Sequence, residues 1–198
     1  MYYICPMKQL IILITSLLTL SVNAQVIDYN NFDNKLLERL VFEELNKYRD
    51  SLGVESLLLS EVMYKNITCK QTQILAKGCS LYHPDLTPLL TDEVRVSISK
   101  ESEKLTGIKS LLSGKPSAVS IMRENGYSTD IRNQKTYQQL AKRAVIAWDQ
   151  SFLHKCTQKA VYVRGGGKGL VSVSARMNNS KTKIFIFCNF TYVYKEND

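Results

Sequence analysis

The most informative segment of this chain reads Trp148-Asp149-Gln150-Ser151-Phe152-Leu153-His154. It contains the only tryptophan and one of only two histidines. A helical run precedes it, and a glycine-rich turn at residues 164–169 follows it. The other histidine, His83, stands just past the end of an earlier helical run. In a chain this poor in histidine, we interpret the two imidazoles as the best candidates for one shared site.

Two helices are predicted toward the N-terminus, because apolar residues recur there with a helical period. Residues 33–51 form the first pattern, and Gly53 is placed to end that helix in a left-handed conformation. Ser60 is a suitable N-cap for a second amphipathic helix. Gly78 closes that second helix.

A third helix leads directly into the segment that holds the tryptophan. It begins after Thr136, a suitable N-cap, and extends to Trp148, and a short helical turn through His154 follows. Beyond that turn the sequence becomes rich in β-branched and aromatic residues. The strand-like runs are residues 161–163, 170–174 and 184–187. Helices followed by a terminal antiparallel meander indicate an α+β sandwich.

The middle of the chain, residues 84–135, is punctuated by proline and glycine into short pieces. Within it Val94, Val96 and Ile98 alternate with polar residues, which predicts a short strand. No long flexible linker is visible in this region. We therefore predict one domain rather than two.

The N-terminal residues 1–24 have the features of a secretory signal peptide. A nearly continuous apolar stretch, residues 9–22, follows Lys8 and ends at the small residue Ala24. The stretch is too short to span a bilayer comfortably. We expect cleavage after Ala24, which leaves residues 25–198 as a single domain, secreted or periplasmic, monomeric and without a transmembrane anchor.

The formal net charge of +8 raises the question of a nucleic-acid partner. The lysines and arginines are scattered among acidic residues, as residues 35–50 show, and form no dense basic cluster with interleaved aromatics. We therefore interpret them as a solvated basic surface and expect no nucleic-acid partner.

Four cysteines follow the expected cleavage site, and an even number in an exported chain favours disulfides. They are Cys69, Cys79, Cys156 and Cys188. Three pairings are open, and the sequence does not choose among them. We prefer Cys69–Cys79 with Cys156–Cys188, because each pair would join neighbouring elements. No C-x-x-C spacing points to a cysteine zinc site.

The ordered series of motifs resembles the CAP superfamily, the secreted domain shared by cysteine-rich secretory proteins, antigen 5 and pathogenesis-related 1 proteins. The resemblance covers residues 36–192, and within the family the sequence is similar to the bacterial branch. It rests on Leu45-Asn46-Lys47-Tyr48-Arg49, His83, Glu124-Asn125, Trp148-x-x-Ser151-x-x-His154, Gly167-x-Gly169 and the last strand at residues 184–192.

That resemblance implies a three-layer α-β-α sandwich with a central antiparallel sheet. It also implies a central cleft lined by His83, Glu124 and His154, with Ser151 near the place of the second glutamate of eukaryotic members. Two imidazoles and one carboxylate suit a divalent ion, most simply zinc with a water as its fourth ligand. Zinc is therefore the expected cofactor if the cleft holds a metal.

The expected function is binding of a ligand or a divalent cation at this cleft, without catalysis. The expected partner is an extracellular ligand, either a lipid or a protein. One alternative is an extracytoplasmic hydrolase that uses a metal-bound water, Ser151 or Cys156. Helical neighbours three residues apart, such as Ser151 and His154, rarely align as nucleophile and base. The second alternative, sterol or fatty-acid binding, follows from the family resemblance alone.

Overall fold

A computed structural model of the chain describes residues 25–78, 80–107, 122–159 and 169–192. The α-helices in these ranges are α1 (Asn34–Ser51), α2 (Glu61–Met63), α3 (Cys69–Lys77), α4 (Asp92–Thr106), α5 (Tyr137–Gln150) and α6 (Phe152–Lys159), and a short 3-10 helix spans Ile131–Asn133. The strands are β1 (Leu58–Leu59), β2 (Met122–Asp130), β3 (Gly169–Met177) and β4 (Lys183–Tyr192). The expected signal peptide and the predicted strand at residues 161–163 lie outside the described residues.

Helix α1 forms where the apolar period predicts it. Its first turn is capped by the Asp33 carboxylate, which accepts a hydrogen bond from the Leu36 N–H at 2.9 Å. Leu37, Val41 and Leu45 form a fully buried stripe along one face of the helix. Gly53 follows the last turn with a φ of +66°, so the predicted left-handed end is confirmed.

The predicted second helix is interrupted by a π-helical segment, Tyr64–Thr68, which separates α2 from α3. Ser60 caps α2, as predicted, by accepting a hydrogen bond from the Met63 N–H at 3.0 Å. The extra residue of a π turn changes which side chains face inward. The buried residues that follow are polar at first, with Thr68 at the end of the π-helical segment and Gln71 and Thr72 on α3, and Leu75 and Ala76 complete the buried face of α3.

The strand predicted from Val94, Val96 and Ile98 is wrong, because these residues belong to helix α4. Thr91 caps that helix, and acidic residues occupy its first turn, where they favour a helix N-terminus. Of the three apolar residues only Ile98 is fully buried, and it packs against Met63 of α2. Burial on α4 therefore recurs at helical spacing rather than at every second residue.

The sheet has the strand order β1-β3-β4-β2. Both β3 and β2 pair with β4 in antiparallel fashion, whereas the two-residue β1 pairs with β3 in parallel. Helices packed on a mixed sheet confirm the α+β class. The expected antiparallel arrangement holds for the three long strands, and β1 adds a parallel edge that was not predicted.

Successive residues of β4 pack into different apolar clusters. Ile184 and Ile186 join the large cluster that contains the buried faces of α1 and α5. Phe185 and Phe187 join Leu75 of α3 in a separate cluster. Because adjacent residues of a strand point to opposite faces of a sheet, both faces of β4 are covered by helices.

The expected Cys156–Cys188 disulfide is not formed, since both residues carry free thiols. The Cys188 side chain is fully buried in the apolar cluster shared with α1 and α5, and this burial raises the pKa of its thiol. The thiol therefore serves as a small apolar core group. The other expected disulfide, Cys69–Cys79, involves Cys79, which lies outside the described residues.

Candidate functional site

Three of the predicted site residues, far apart in sequence, converge in the structure. His83 lies in the connection between α3 and α4, Glu124 lies in β2, and His154 lies in α6. The Nδ1 atom of His83 is 2.5 Å from the Oε1 atom of Glu124. The ring centres of His83 and His154 are 6.3 Å apart. The sequence prediction that these side chains share a site agrees with this geometry.

Both oxygens of the Glu124 carboxylate are held by hydrogen bonds. Oε1 contacts the His83 ring, and Oε2 accepts a hydrogen bond from the Gln71 side-chain amide at 2.8 Å. The Glu124 side chain is mostly buried, with 19% of its surface exposed, whereas His83 is 57% exposed. The Glu124 carboxylate is therefore held in one position inside the site, whereas the His83 ring lies at the surface in contact with solvent.

Gln71 is a site residue that the sequence reasoning missed. It is fully buried on α3, and its Oε1 accepts a hydrogen bond from Asn189 at 2.5 Å. Asn189 also donates to the Thr68 hydroxyl at 2.9 Å, and that hydroxyl contacts Ser172. The only trace of this hydrogen-bond network in the sequence is the helical spacing of the polar residues Thr68, Gln71 and Thr72, which does not identify their partners.

The surroundings of His154 disfavour the charged form of its ring. Burial lowers the pKa of its ring below the ordinary value of 6.5, and the nearby His83 lowers it further. Within the described ranges, no side chain or backbone group forms a hydrogen bond with the His154 ring. Its backbone carbonyl accepts a hydrogen bond from the Asn125 amide at 3.1 Å, which ties α6 to β2.

The segment that opens with Trp148 also fixes the strand that carries Glu124. The Trp148 Nε1–H donates to the Gly126 carbonyl at 2.9 Å, and the indole is 1% exposed. Gly126 is required here, since a Cβ atom would lie 2.6 Å from Cε2 of Phe187. The Phe187 ring in turn meets the His83 ring at a centre distance of 6.1 Å.

Ser151 lies at the junction of α5 and α6. Its backbone carbonyl accepts a hydrogen bond from the Lys155 N–H at 2.8 Å. Among the described residues, neither the Ser151 hydroxyl nor the Cys156 thiol forms a hydrogen bond with the imidazole of His154. No nucleophile–base pair of the kind a hydrolase needs is therefore assembled on this segment.

The three side chains do not form a preassembled tetrahedral zinc site. Two imidazoles bound to one zinc place their ring centres about 5 Å apart, given Zn–N distances of about 2.0–2.1 Å. His83 and His154 exceed that separation, and Glu124 uses both oxygens within the protein. In the part of the chain that the structure describes, no group of three metal-ligating side chains is preassembled.

Exposed apolar side chains stand beside both histidines. Leu81 and Tyr82 precede His83 and are 39% and 47% exposed. Phe152 and Leu153 precede His154 and are 77% and 69% exposed. Each of these two pairs of apolar residues comes directly before one of the two histidines in the sequence, and the two histidine rings are neighbours. Large apolar side chains grouped at the surface are typical of a binding site.

The comparisons with known proteins bear on the fold. No protein-family model matches the chain, and no curated protein matches it. Among solved structures, the chain is similar to an outer surface protein from Borrelia burgdorferi, with a TM-score of 0.50 and 13% sequence identity. The similarity covers 87% of this chain and 99% of that protein. Within the described ranges, no helix has the length and apolar character needed to cross a membrane.

Proposed function

We propose that this chain is an exported, CAP-like binding domain whose imidazole pair, His83 and His154, receives the polar group of a ligand. The convergence of His83, Glu124 and His154 from three separate elements carries the proposal. Glu124 orients the His83 ring, and His154 offers a neutral ring without a protein partner among the described residues. The proposal is one of binding and includes no chemical step.

The export assignment is part of this proposal. It is supported by the apolar stretch at residues 9–22 with Lys8 before it and Ala24 after it. It is also supported by the similar solved structure, which is that of an outer surface protein. Cleavage after Ala24 is the step that mass spectrometry of the secreted chain measures directly.

A ligand with a carboxylate head and an apolar body is the class that the surroundings favour. Leu81, Tyr82, Phe152 and Leu153 are exposed apolar residues that directly precede the two histidines in the sequence. A ligand carboxylate can accept a hydrogen bond from the N–H of the His154 ring, as Glu124 accepts one from His83. A fatty acid combines both features, so we favour a fatty acid over a divalent cation as the ligand.

Isothermal titration of the purified protein with octanoate and with zinc chloride tests this function. We expect heat from octanoate that is lost in the His83→Ala, His154→Ala double variant, and no histidine-dependent heat from zinc. Phe152→Ser is expected to weaken octanoate binding while leaving both imidazoles in place. If the double variant gave the same heat of octanoate binding as the wild-type protein, the proposal would be contradicted. A heat of zinc binding that disappears in the double variant would indicate a metal site instead.

A further inference from the structure

A second site lies on the edge of β3, away from the histidines. β1 covers only the first part of that edge, where Leu58 pairs with Leu170 and Leu59 pairs with Val171. At Ser60 the chain leaves the sheet and enters α2. Past Val171, β3 therefore has no neighbouring strand on this side within the described part of the chain.

The direction of the β3 backbone groups follows from two hydrogen bonds. The Val171 carbonyl accepts from the Ser60 N–H at 2.9 Å, and the Ala175 N–H donates to the Glu38 carboxylate at 3.2 Å. Both bonds point away from β4. Because backbone groups alternate along an antiparallel strand, the N–H and C=O of Val173 point to the same outer side.

Val173 thus differs from its two neighbours on this edge. Ser60 satisfies the Val171 carbonyl, and Glu38 satisfies the Ala175 N–H. Among the described residues, neither the N–H nor the C=O of Val173 has a partner on the outer side. An unpaired donor and acceptor on a sheet edge form a template for another extended chain.

A cavity of about 260 Å³ stands over this position. Its lining includes Ser172 and Val173 on β3, Glu38 on α1 and Tyr64 on the π-helical segment. The Glu38 carboxylate is rigidly held, since Tyr64 donates to it at 3.2 Å and Lys35 donates to it at 2.9 Å. The volume lies just below the range of about 300–1,000 Å³ for drug-sized ligand sites, so the occupant is short.

We propose that this cavity binds a short extended peptide segment, which adds to the edge of β3 at Val173. A residue in extended conformation directs its N–H and C=O to one side and can pair with both groups of Val173. Leu59, which is 50% exposed at the cavity, offers apolar contact to a peptide side chain. Neither histidine lines this cavity.

The charged side chains at the opening of the cavity predict the orientation of the bound peptide. On the α1 side, Lys35 and Arg39 are 72% and 62% exposed, so their cationic groups reach solvent. On the opposite side stands Glu61, which is 75% exposed. An acidic residue of the peptide therefore lies toward α1, where the two cations complement it.

Nuclear magnetic resonance of the purified, ¹⁵N-labelled protein tests the proposal with the capped tetrapeptide acetyl-Val-Glu-Val-Glu-amide. We expect saturable shifts of the backbone amide signals of Val173 and Ala175. The control probe is the same peptide methylated on its backbone nitrogens, which keeps the side chains and removes the N–H donors. The methylated peptide is expected to produce no saturable shift.

Two charge reversals on α1 provide matched variants. Arg39→Glu places a negative charge at the cavity mouth, whereas Lys47→Glu makes the same change at a position outside the cavity lining. Both residues are exposed and form ion pairs within α1. We expect weaker peptide binding for Arg39→Glu and unchanged binding for Lys47→Glu. Absence of saturable shifts, or equal shifts with the methylated peptide, would overturn the proposal.

Discussion

At the scale of single residues, Gln71 determines how the site carboxylate is held. Its amide nitrogen donates to Glu124, and its amide oxygen accepts from Asn189, so one buried side chain links the site to the sheet. An amide can do this because it carries both a donor and an acceptor. A carboxylate or an apolar side chain at this position would satisfy only one neighbour or neither.

Gln71→Met is therefore expected to destabilise the protein by about 1–3 kcal/mol, because Glu124 and Asn189 each lose a buried partner. Urea unfolding measures this change. Gln73→Met on the same helix is the matched control, since Gln73 is exposed and a surface change costs within about 0.5 kcal/mol. Equal effects of the two substitutions would show that the Gln71 hydrogen bonds do not stabilise the fold.

The pH dependence of stability has a defined contribution from His154. Burial first, and then the neighbouring His83, hold its pKa in the folded protein below the ordinary value of 6.5. The unfolded chain therefore binds this proton more tightly, and stability is lost as the pH falls from about 6.5 through the folded-state pKa. His154→Gln is expected to remove this part of the acid sensitivity.

Urea unfolding at pH 7.5 and pH 5 compares the wild-type protein with His154→Gln. A proton resonance of the His154 ring, followed during titration, reports its pKa independently of stability. The expected midpoint lies below 6.5. A midpoint above that value, or identical pH dependence in the two proteins, would mean that the ring is not desolvated by its surroundings.

Residue-level prediction from sequence succeeded where a residue type is rare or its role is local. The chain has only two histidines, so there was only one histidine pair to consider. The caps at Ser60 and Thr136 depend on the next few residues alone, and both are confirmed. Gln71 was missed because an amide on a helix has no distinctive pattern until its distant partners, Glu124 and Asn189, are in place.

At the scale of elements, Arg49 joins three parts of the chain. Its guanidinium is 1% exposed and donates through Nε and Nη2 to the carbonyl of Glu55, which follows α1. Its Nη1 donates to the carbonyl of Gln158 in α6 at 2.6 Å. The end of α1 thereby anchors the helix that carries His154.

Arg49→Lys is expected to cost about 2–3 kcal/mol, because an ammonium group cannot reproduce the planar fork of donors. Hydrogen exchange is expected to accelerate most at the C-terminal end of α6, near Gln158. Arg39→Lys on the exposed face of α1 serves as the control, with an expected change of under about 1 kcal/mol. Uniform acceleration across all helices would contradict the local role of Arg49.

The elements that sequence analysis missed share a physical cause. Strand β2 contains arginine, glutamate, asparagine and glycine in its first half, so it has no apolar alternation to detect. It is stabilised by its nine-residue register with β4 and by Trp148, which are tertiary features. The π-helical segment Tyr64–Thr68 is likewise set by packing, since the surrounding sequence has an ordinary helical period.

At the scale of the whole molecule, the sheet combines strands from distant parts of the chain. β1, near residue 58, pairs with β3, near residue 170, and β2 lies on the far side of β4. The change from helical to alternating pattern along the sequence sufficed to predict the α+β class. The parallel edge was unpredictable, because two residues of β1 are too few to show a period.

Because the sheet combines strands from distant parts of the chain, we predict a single cooperative unfolding transition. Neither half of the chain can keep its apolar surface buried once the other half unfolds, because α1 and α5 share one cluster with β3 and β4. Calorimetry is expected to give a ratio of calorimetric to van't Hoff enthalpy of about 1. Two resolved transitions would show that the chain contains separately folding units and would contradict the single-domain prediction.

The burial of Trp148 has an optical consequence. It is the only indole in the chain, so all tryptophan emission originates from one position. Its ring N–H donates a hydrogen bond to the carbonyl of Gly126, which lies two residues beyond Glu124 on the same strand. A ligand that displaces this strand would therefore change the emission wavelength of an unlabelled sample, so the molecule carries its own fluorescent reporter of strand displacement.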